Sequence, residues 1–373
     1  MFAYIVRRLL LIIPTLLGIM VINFGIVQFA PGGPVEQIIA QLTGADVGAT
    51  SRIGGTGGTE AGRSARASAQ ASSGAAGSAN AYRGAQGLDP EFIKQLEKQF
   101  GFDKPLHERF LKMMGAYLVF DFGTSYFRDE TVIDLVLSKM PVSISLGIWT
   151  TLLVYLISIP LGIRKAVADG TRFDIWTSGV IIIGNAIPSF LFAVLLVVVF
   201  AGGSYFNWFP LRGLVSENWS EMNWWAQILD YLWHMVLPIT ALVIGSFAFL
   251  TFLTKNSFLD QINQQYVLTA KAKGLTQNQV LYGHVFRNAM LIVIAGFPSA
   301  FVSILFTGAL LIEIIFSLDG LGLLGYEAII KRDYPIMFAS LFFFTVLGLV
   351  MKLVGDLTYT IIDPRIDFEA RGV

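Results

Sequence analysis

The chain has 373 residues, 54% of them apolar, with 26 basic and 26 acidic side chains that cancel and no cysteine. Its mean hydropathy of +0.65 lies well above that of a soluble domain, and without a basic surplus no global field exists to hold nucleic acid by counterion release. The lack of cysteine excludes disulfides, thiolate metal sites and a cysteine nucleophile, and His107, His234 and His284 are too scattered in sequence for a histidine metal motif.

A helix crossing about 30 Å of hydrocarbon needs about 20 apolar residues. The first such stretch runs from Leu9 to Ala30, behind Arg7 and Arg8. It is longer than the apolar run of a signal peptide, and Phe29-Ala30-Pro31-Gly32-Gly33 offers no small-x-small cleavage site, so residues 1–30 predict an N-terminus and an uncleaved first span. Residues 31–141 then form a long external segment. Within it Thr43 to Leu88 is dominated by Gly, Ala and Ser, which bury too little apolar surface to offset ordering entropy, and disorder is expected. From Asp89 the pattern changes. Asp89-Pro90-Glu91 has the order of an N-cap followed by Pro at the first helical position, and Phe92, Ile93, Leu96 and Phe100 follow at helical spacing. A small helical outer subdomain is expected there.

Five more spans are predicted within 142–363: Val142 to Ile163, Ser178 to Ala201, His234 to Leu253, Leu291 to Phe316, and Pro335 to Leu357. The expected fold class is therefore an all-α membrane protein with six transmembrane helices. Short loops rich in Lys and Arg resist translocation. Arg7 and Arg8, then Arg164, Lys165 and Arg172, then Lys255, Lys271, Lys273 and Arg287 place both termini in the cytoplasm, including the 364–373 tail. Lys331 and Arg332 are the exceptions, in the outer loop before span six. Trp208, Trp219, Trp224, Trp225 and Trp233 crowd the outer loop before span four, where such rings anchor at the interface.

Polar groups inside spans are candidates for a pathway, because an ionisable side chain in lipid is costly unless it faces a cavity or a partner. Asn185, near Pro188 in span three, and Glu313 in span five are the two candidates. For Glu313, pairing inside the bundle is an equal reading. Lys352 and Asp356, four residues apart, suit a local pair near the inner surface.

The one long cytoplasmic loop, 254–290, contains Tyr266-Val267-Leu268-Thr269-Ala270-Lys271-Ala272-Lys273-Gly274-Leu275. Its Ala and Lys residues favour helix, and Gly274 is placed to end that helix in a left-handed cap. A second helical stretch should lead toward Phe286-Arg287-Asn288. The residues alone fit two readings: a solvated interfacial helix with snorkelling lysines, or a helix that another protein approaches closely over its small side chains. No G-x-x-x-x-G-K-[ST] phosphate loop occurs in the sequence, so any nucleotide hydrolysis must be done elsewhere.

The loop resembles the coupling signature of permeases in binding-protein-dependent ABC importers. Ala270 and Gly274 match its E-A-A-x-x-x-G pattern, whereas Leu268 and Thr269 replace the Glu and first Ala. With His284-Val285-Phe286-Arg287-Asn288-Ala289 it looks like the dipeptide and oligopeptide branch. Ala30-Pro31-Gly32-Gly33-Pro34, Gly101-Phe102-Asp103-Lys104-Pro105, Asp121-Phe122-Gly123-Thr124-Ser125, Glu313-Ile314-Ile315-Phe316 and Asp363-Pro364-Arg365-Ile366 extend the likeness. The Gly/Ala-rich insert is most similar to Yej-type permeases for oligopeptides and microcin C.

That resemblance implies a non-enzymatic subunit of the bacterial inner membrane, with Thr269, Ala270, Lys271, Ala272, Lys273 and Gly274 coupling to an ATPase. The implied partners are a second homologous permease, two ATPase subunits or one fused tandem ATPase that hold ATP and magnesium, an external peptide-binding protein, and membrane lipid. An ion-coupled secondary transporter is the alternative, disfavoured by the sparse carboxylates within the spans and the lack of an obvious inverted repeat.

Overall fold

A computed structural model of the chain describes residues 2–29, 33–35, 38–39, 90–99, 101–203, 205–306 and 310–362. The expected disorder over Thr43 to Leu88, the Asp89 cap and the 364–373 tail lie outside these residues. The described elements, in order, are α1 (Phe2–Phe29), α2 (Pro90–Gln99), α3 (Leu106–Leu118), α4 (Val132–Val167), α5 (Arg172–Ala186), α6 (Ser189–Phe200), α7 (Trp224–Ile262), α8 (Gln265–Ala272), α9 (Gln277–Val280), α10 (Phe286–Phe306), α11 (Leu310–Ile315), α12 (Leu321–Lys331) and α13 (Tyr334–Ile362). A single π-turn, Leu281–Val285, joins α9 to α10. Among the described residues β-structure is limited to one bridge, Thr124 with Thr131.

Among the described residues five helices are long and apolar enough to cross a membrane, and the bent pair α5 and α6 makes up to six. The third span is therefore not the straight helix that its hydropathy predicts. The two halves meet at 90°, because Pro188 has no N–H to offer α5 and forces the residue before it out of the helical region. Ile187 accordingly has φ −86° and ψ 119°.

Other spans are longer than their apolar windows. α4 begins at Val132 rather than Val142, because the Thr131 hydroxyl oxygen accepts the Asp134 N–H at 3.1 Å and caps the helix there. α7 begins at Trp224, where the Asn223 side chain accepts the Ala226 N–H at 2.9 Å.

The chain divides into two compact units. The first comprises described residues within 1–14, 136–324 and 343–373. Its core is one apolar cluster that includes Leu146, Met235, Phe258, Val267, Val285 and Val293. The second comprises described residues within 15–135 and 325–342. In it Ile93 and Leu96 of α2 are buried against Val35 and Ile39, in keeping with their helical spacing.

Candidate functional site

The loop after α7 folds into two short helices separated by a turn fixed by its own hydrogen bonds. α8 ends at Ala272 with Lys273 as its C-cap, and Gly274 adopts φ +85°. The Gly274 N–H donates to the Lys271 carbonyl at 2.9 Å, and the Leu275 N–H donates to the Ala270 carbonyl at 3.3 Å. This pair of bonds is a Schellman motif, in which glycine takes the left-handed position without strain. Immediately afterwards Thr276 and Gln279 form a capping box that starts α9. Helix, stop and second helix thus lie where the sequence places them.

The two faces of α8 differ. Val267 and Ala270 are buried in the core of the first unit, whereas Leu268, Thr269, Lys271, Ala272, Lys273 and Gly274 are exposed. Ala270 therefore packs inside its own chain, and the small exposed residues are Thr269, Ala272 and Gly274.

A buried ion network stands at the end of α4, beside the last turns of α7. Lys165 is 0% exposed. Its Nζ donates to Thr177 Oγ1 at 2.8 Å, Ser178 Oγ at 2.7 Å and the Asp174 carbonyl at 2.9 Å. It also lies 2.9 Å from Asp174 Oδ1. Lys255 of α7 bridges Asp174 Oδ2 at 2.7 Å and Asp169 Oδ1 at 2.8 Å. Asp169 of the α4–α5 connection and Asp174 in the first turn of α5 thereby tie α4, α5 and α7 together, and Lys255 stands ten residues before α8 begins.

Asn185 is exposed, one residue before the end of α5, and so are Ala186, Ile187 and Pro188. At such a break the last carbonyls of α5 and first N–H groups of α6 have no partner within their helices. Broken backbone at membrane depth is tolerated only against protein or water. Glu313 is 0% exposed and lies beneath the loop that leads into α12. Its carboxylate accepts the Leu323 N–H at 2.7 Å and the Ser143 hydroxyl at 3.5 Å, while Ser143 Oγ accepts the Leu321 N–H at 2.9 Å. A Cβ on Gly320 would fall 2.5 Å from Glu313 Oε1. The carboxylate fills the space that a side chain at position 320 would occupy and caps the N-terminus of α12.

Asp356 pairs with Arg8 at 3.1 Å and accepts the Tyr4 hydroxyl at 3.1 Å. The expected local pair with Lys352 is replaced by this long-range one, because Arg8 brings a guanidinium fork to the same level. Among the described residues no group of three His, Cys, Asp or Glu could hold a metal ion.

Residues 158–368, more than half of the chain, match the family described as binding-protein-dependent transport system inner membrane component. The chain belongs to this permease family. It is 63% identical over 371 residues, covering 100% of both chains, to the peptidoglycan transport system permease protein YejB of Agrobacterium fabrum. It is 58% identical to the inner membrane ABC transporter permease protein YejB of Escherichia coli O157:H7, over 99% of this chain and 100% of that one. It is 32% identical to the oligopeptide transport system permease protein AppB of Bacillus subtilis, over 99% of this chain and 100% of that one.

This permease is thus an inner-membrane subunit of an ABC importer, working with ATPase and binding-protein partners. Family membership favours that reading and lends nothing to an ion-coupled transporter. The sequence reading used Arg8, Lys165 and Lys255 only as markers of the cytoplasmic face and so missed their bonds. Asp174, nine residues after Lys165, was the available signal. Ser143 carried none, since a serine in a span is ordinary.

Proposed function

We propose that this permease forms, with a second homologous permease, the alternating-access pathway through which an ATP-driven importer takes up peptides. The relatives named for oligopeptide and peptidoglycan transport favour short peptides, including those released from cell wall. Two ATPase subunits, or one fused tandem ATPase, hold ATP and magnesium on the cytoplasmic side, and an external peptide-binding protein delivers cargo. Both termini lie in the cytoplasm.

The two-faced helix α8 carries this reading. Its inner face is fixed in the core by Val267 and Ala270, and its outer face presents Leu268 over small and basic residues. A push on that face reaches α7 and α10 as a displacement of packed helices, the hinge-and-shear movement of switching proteins. Asn185, at the break in the third span, is the pathway residue in this reading. There an open backbone and a side-chain amide meet peptide groups in the same hydrogen-bonding terms. Glu313 supports it indirectly, by holding the loop before α12 in place.

The test is co-purification followed by reconstitution. The wild-type chain, expressed with its ATPases, should retain them and, with binding protein in proteoliposomes, accumulate labelled peptide only when ATP is supplied. Leu268→Glu should lose the ATPases while remaining inserted, and Asn185→Leu should keep them but lower uptake. Retention of the ATPases with normal uptake in Leu268→Glu would reject the assigned role of α8.

A further inference from the structure

α3 descends beside two membrane helices. Near its start Arg109 donates to Gln28 at 3.4 Å, and the Phe110 ring lies 5.3 Å from that of Phe24, in the last turns of α1. Near its end the Tyr117 ring lies 5.4 Å from that of Phe342, which Phe122 also meets at 5.5 Å. Phe342 is eight residues into α13, about 12 Å along the helix from Tyr334. By Ser125 the chain has climbed back, since the Ser125 hydroxyl donates to Asp333, just before α13. Residues 106–125 therefore form a hairpin that dips along the ends of two spans and returns.

The exposed side chains lose charge toward the tip of the hairpin. Asp103 and Lys104 precede it, and His107, Glu108 and Lys112 are exposed on its upper part, interspersed with Leu106 and Leu111 at 52% and 66%. At the bottom Leu118, Val119 and Phe120 are 79%, 74% and 65% exposed. Asp121 is the one charge at the tip, and it accepts the Gly123 N–H at 3.0 Å.

The turn itself repeats the Schellman geometry of Gly274 with a different residue. The Phe120 N–H donates to the Tyr117 carbonyl at 3.1 Å, and the Asp121 N–H donates to the Ala116 carbonyl at 3.0 Å. Phe120 has φ 58°. An aromatic side chain thus stands in left-handed backbone, where glycine would be free of strain, and its largely exposed ring meets the protein edge-on at Phe122, 6.3 Å away. Strain of this kind persists where the side chain is needed.

We infer that Leu118, Val119 and Phe120 form a lipid anchor, seated among acyl chains near the headgroup boundary of the leaflet at the C-terminal end of α1. α1, against which α3 packs through Phe110 and Phe24, likewise leaves apolar side chains uncovered, with Ile22 and Ile26 62% and 61% exposed. Lys112 lies higher on the helix and can reach the headgroups. Asp121 limits the depth, because a carboxylate is tolerated at the boundary and not at the bilayer centre.

The chain has no cysteine, so single cysteines can carry a spin label in the full chain, purified with its co-expressed partner subunits. The complex would be placed in nanodiscs of phosphatidylethanolamine and phosphatidylglycerol. Labels at Val119→Cys, Ile22→Cys and Lys104→Cys are then compared for collision with oxygen, which favours lipid, and with a water-soluble nickel chelate. The label at 119 should follow that at 22, with oxygen collisions dominant, and the label at 104 should show the reverse. In the Phe120→Ser background the label at 119 should shift toward the nickel chelate. A label at 119 that matches the one at 104 would place the tip in water, and one shielded from both reagents would place it against a protein partner. Either result overturns the proposal.

Discussion

Lys165 and Lys255 bind opposite oxygens of one carboxylate, that of Asp174, at 2.9 and 2.7 Å. Removing the shared partner leaves two ammonium groups behind, one of them fully buried, whereas removing either lysine leaves the carboxylate paired. Asp174→Ala should therefore cost about 3–5 kcal/mol, the range for breaking a buried pair. Lys165→Met, which fills similar volume without charge, should cost clearly less. Thermal unfolding of the purified complex, followed by loss of the monodisperse peak in size-exclusion chromatography, gives the ranking. Equal damage from both variants would mean that packing around Lys165, not charge, governs the cluster.

Gly274 tests the coupling turn by backbone alone. Gly274→Val places a branched side chain in left-handed conformation and should cost about 1–2 kcal/mol locally. Gly274→Asn should be nearly neutral, because asparagine tolerates that conformation. No atom lies within 4 Å of a Cβ built there, so steric crowding does not confuse the comparison. The expected result is normal insertion for both variants, with ATP-driven uptake reduced only in the valine variant.

The carboxylate of Glu313 leaves no room above it. Gly320→Ala would put its methyl group 2.5 Å from Glu313 Oε1, and the displaced carboxylate would lose the Leu323 N–H. A cost of about 1–3 kcal/mol, typical of overpacking, should appear as a lower yield of monodisperse protein. Gly320→Ala combined with Glu313→Ala should recover part of that yield, although the cap on α12 stays lost.

Asp333, in the turn before α13, titrates above the ordinary carboxylate range, because burial opposes its charge more than the bonds from Ser125, Tyr126 and Ile336 favour it. A carboxyl whose folded pKa is raised holds its proton better folded than unfolded. It therefore favours folding below the unfolded pKa of about 3.9, and that contribution fades as pH rises through the folded pKa. Asp333→Asn should flatten this limb of the curve. Unfolding midpoints measured from mildly acidic to neutral pH should show the difference between wild type and variant shrinking toward the acid end.

Much of the architecture was readable from residue order because lipid imposes a simple requirement on it. Apolar windows near 20 residues fell on each candidate span among the described residues, although the window Leu291 to Phe316 overlaps its span, Gln277–Pro298, only in part, and Gly274 after an Ala/Lys run located the end of α8. What hydropathy could not convey was direction. It averages over the Ile187-Pro188 step, so a 90° bend looks like one continuous span. It also counts Lys165 as a loop cation, although the side chain turns inward to meet Asp174. The face of α8 was equally hidden, since Ala270 and Ala272 are alike in composition and only packing decides that one is buried. The pairing of Arg8 with Asp356 was beyond local reading, for the nearer Lys352 satisfied every rule of spacing.

That pairing also bears on how the protein is made. Tyr4 and Asp356 are 352 residues apart in sequence, with Arg8 close behind Tyr4 on α1 and Asp356 in the last turns of the final span. A ribosome releases the first helix into the bilayer long before the carboxylate that holds its basic end exists. Arg8 thus waits at the membrane face, bonded to water and headgroups, while every intervening span is inserted. The bonds that tie Tyr4 and Arg8 to Asp356 are thus among the last to form, and a chain cut short before Asp356 lacks them.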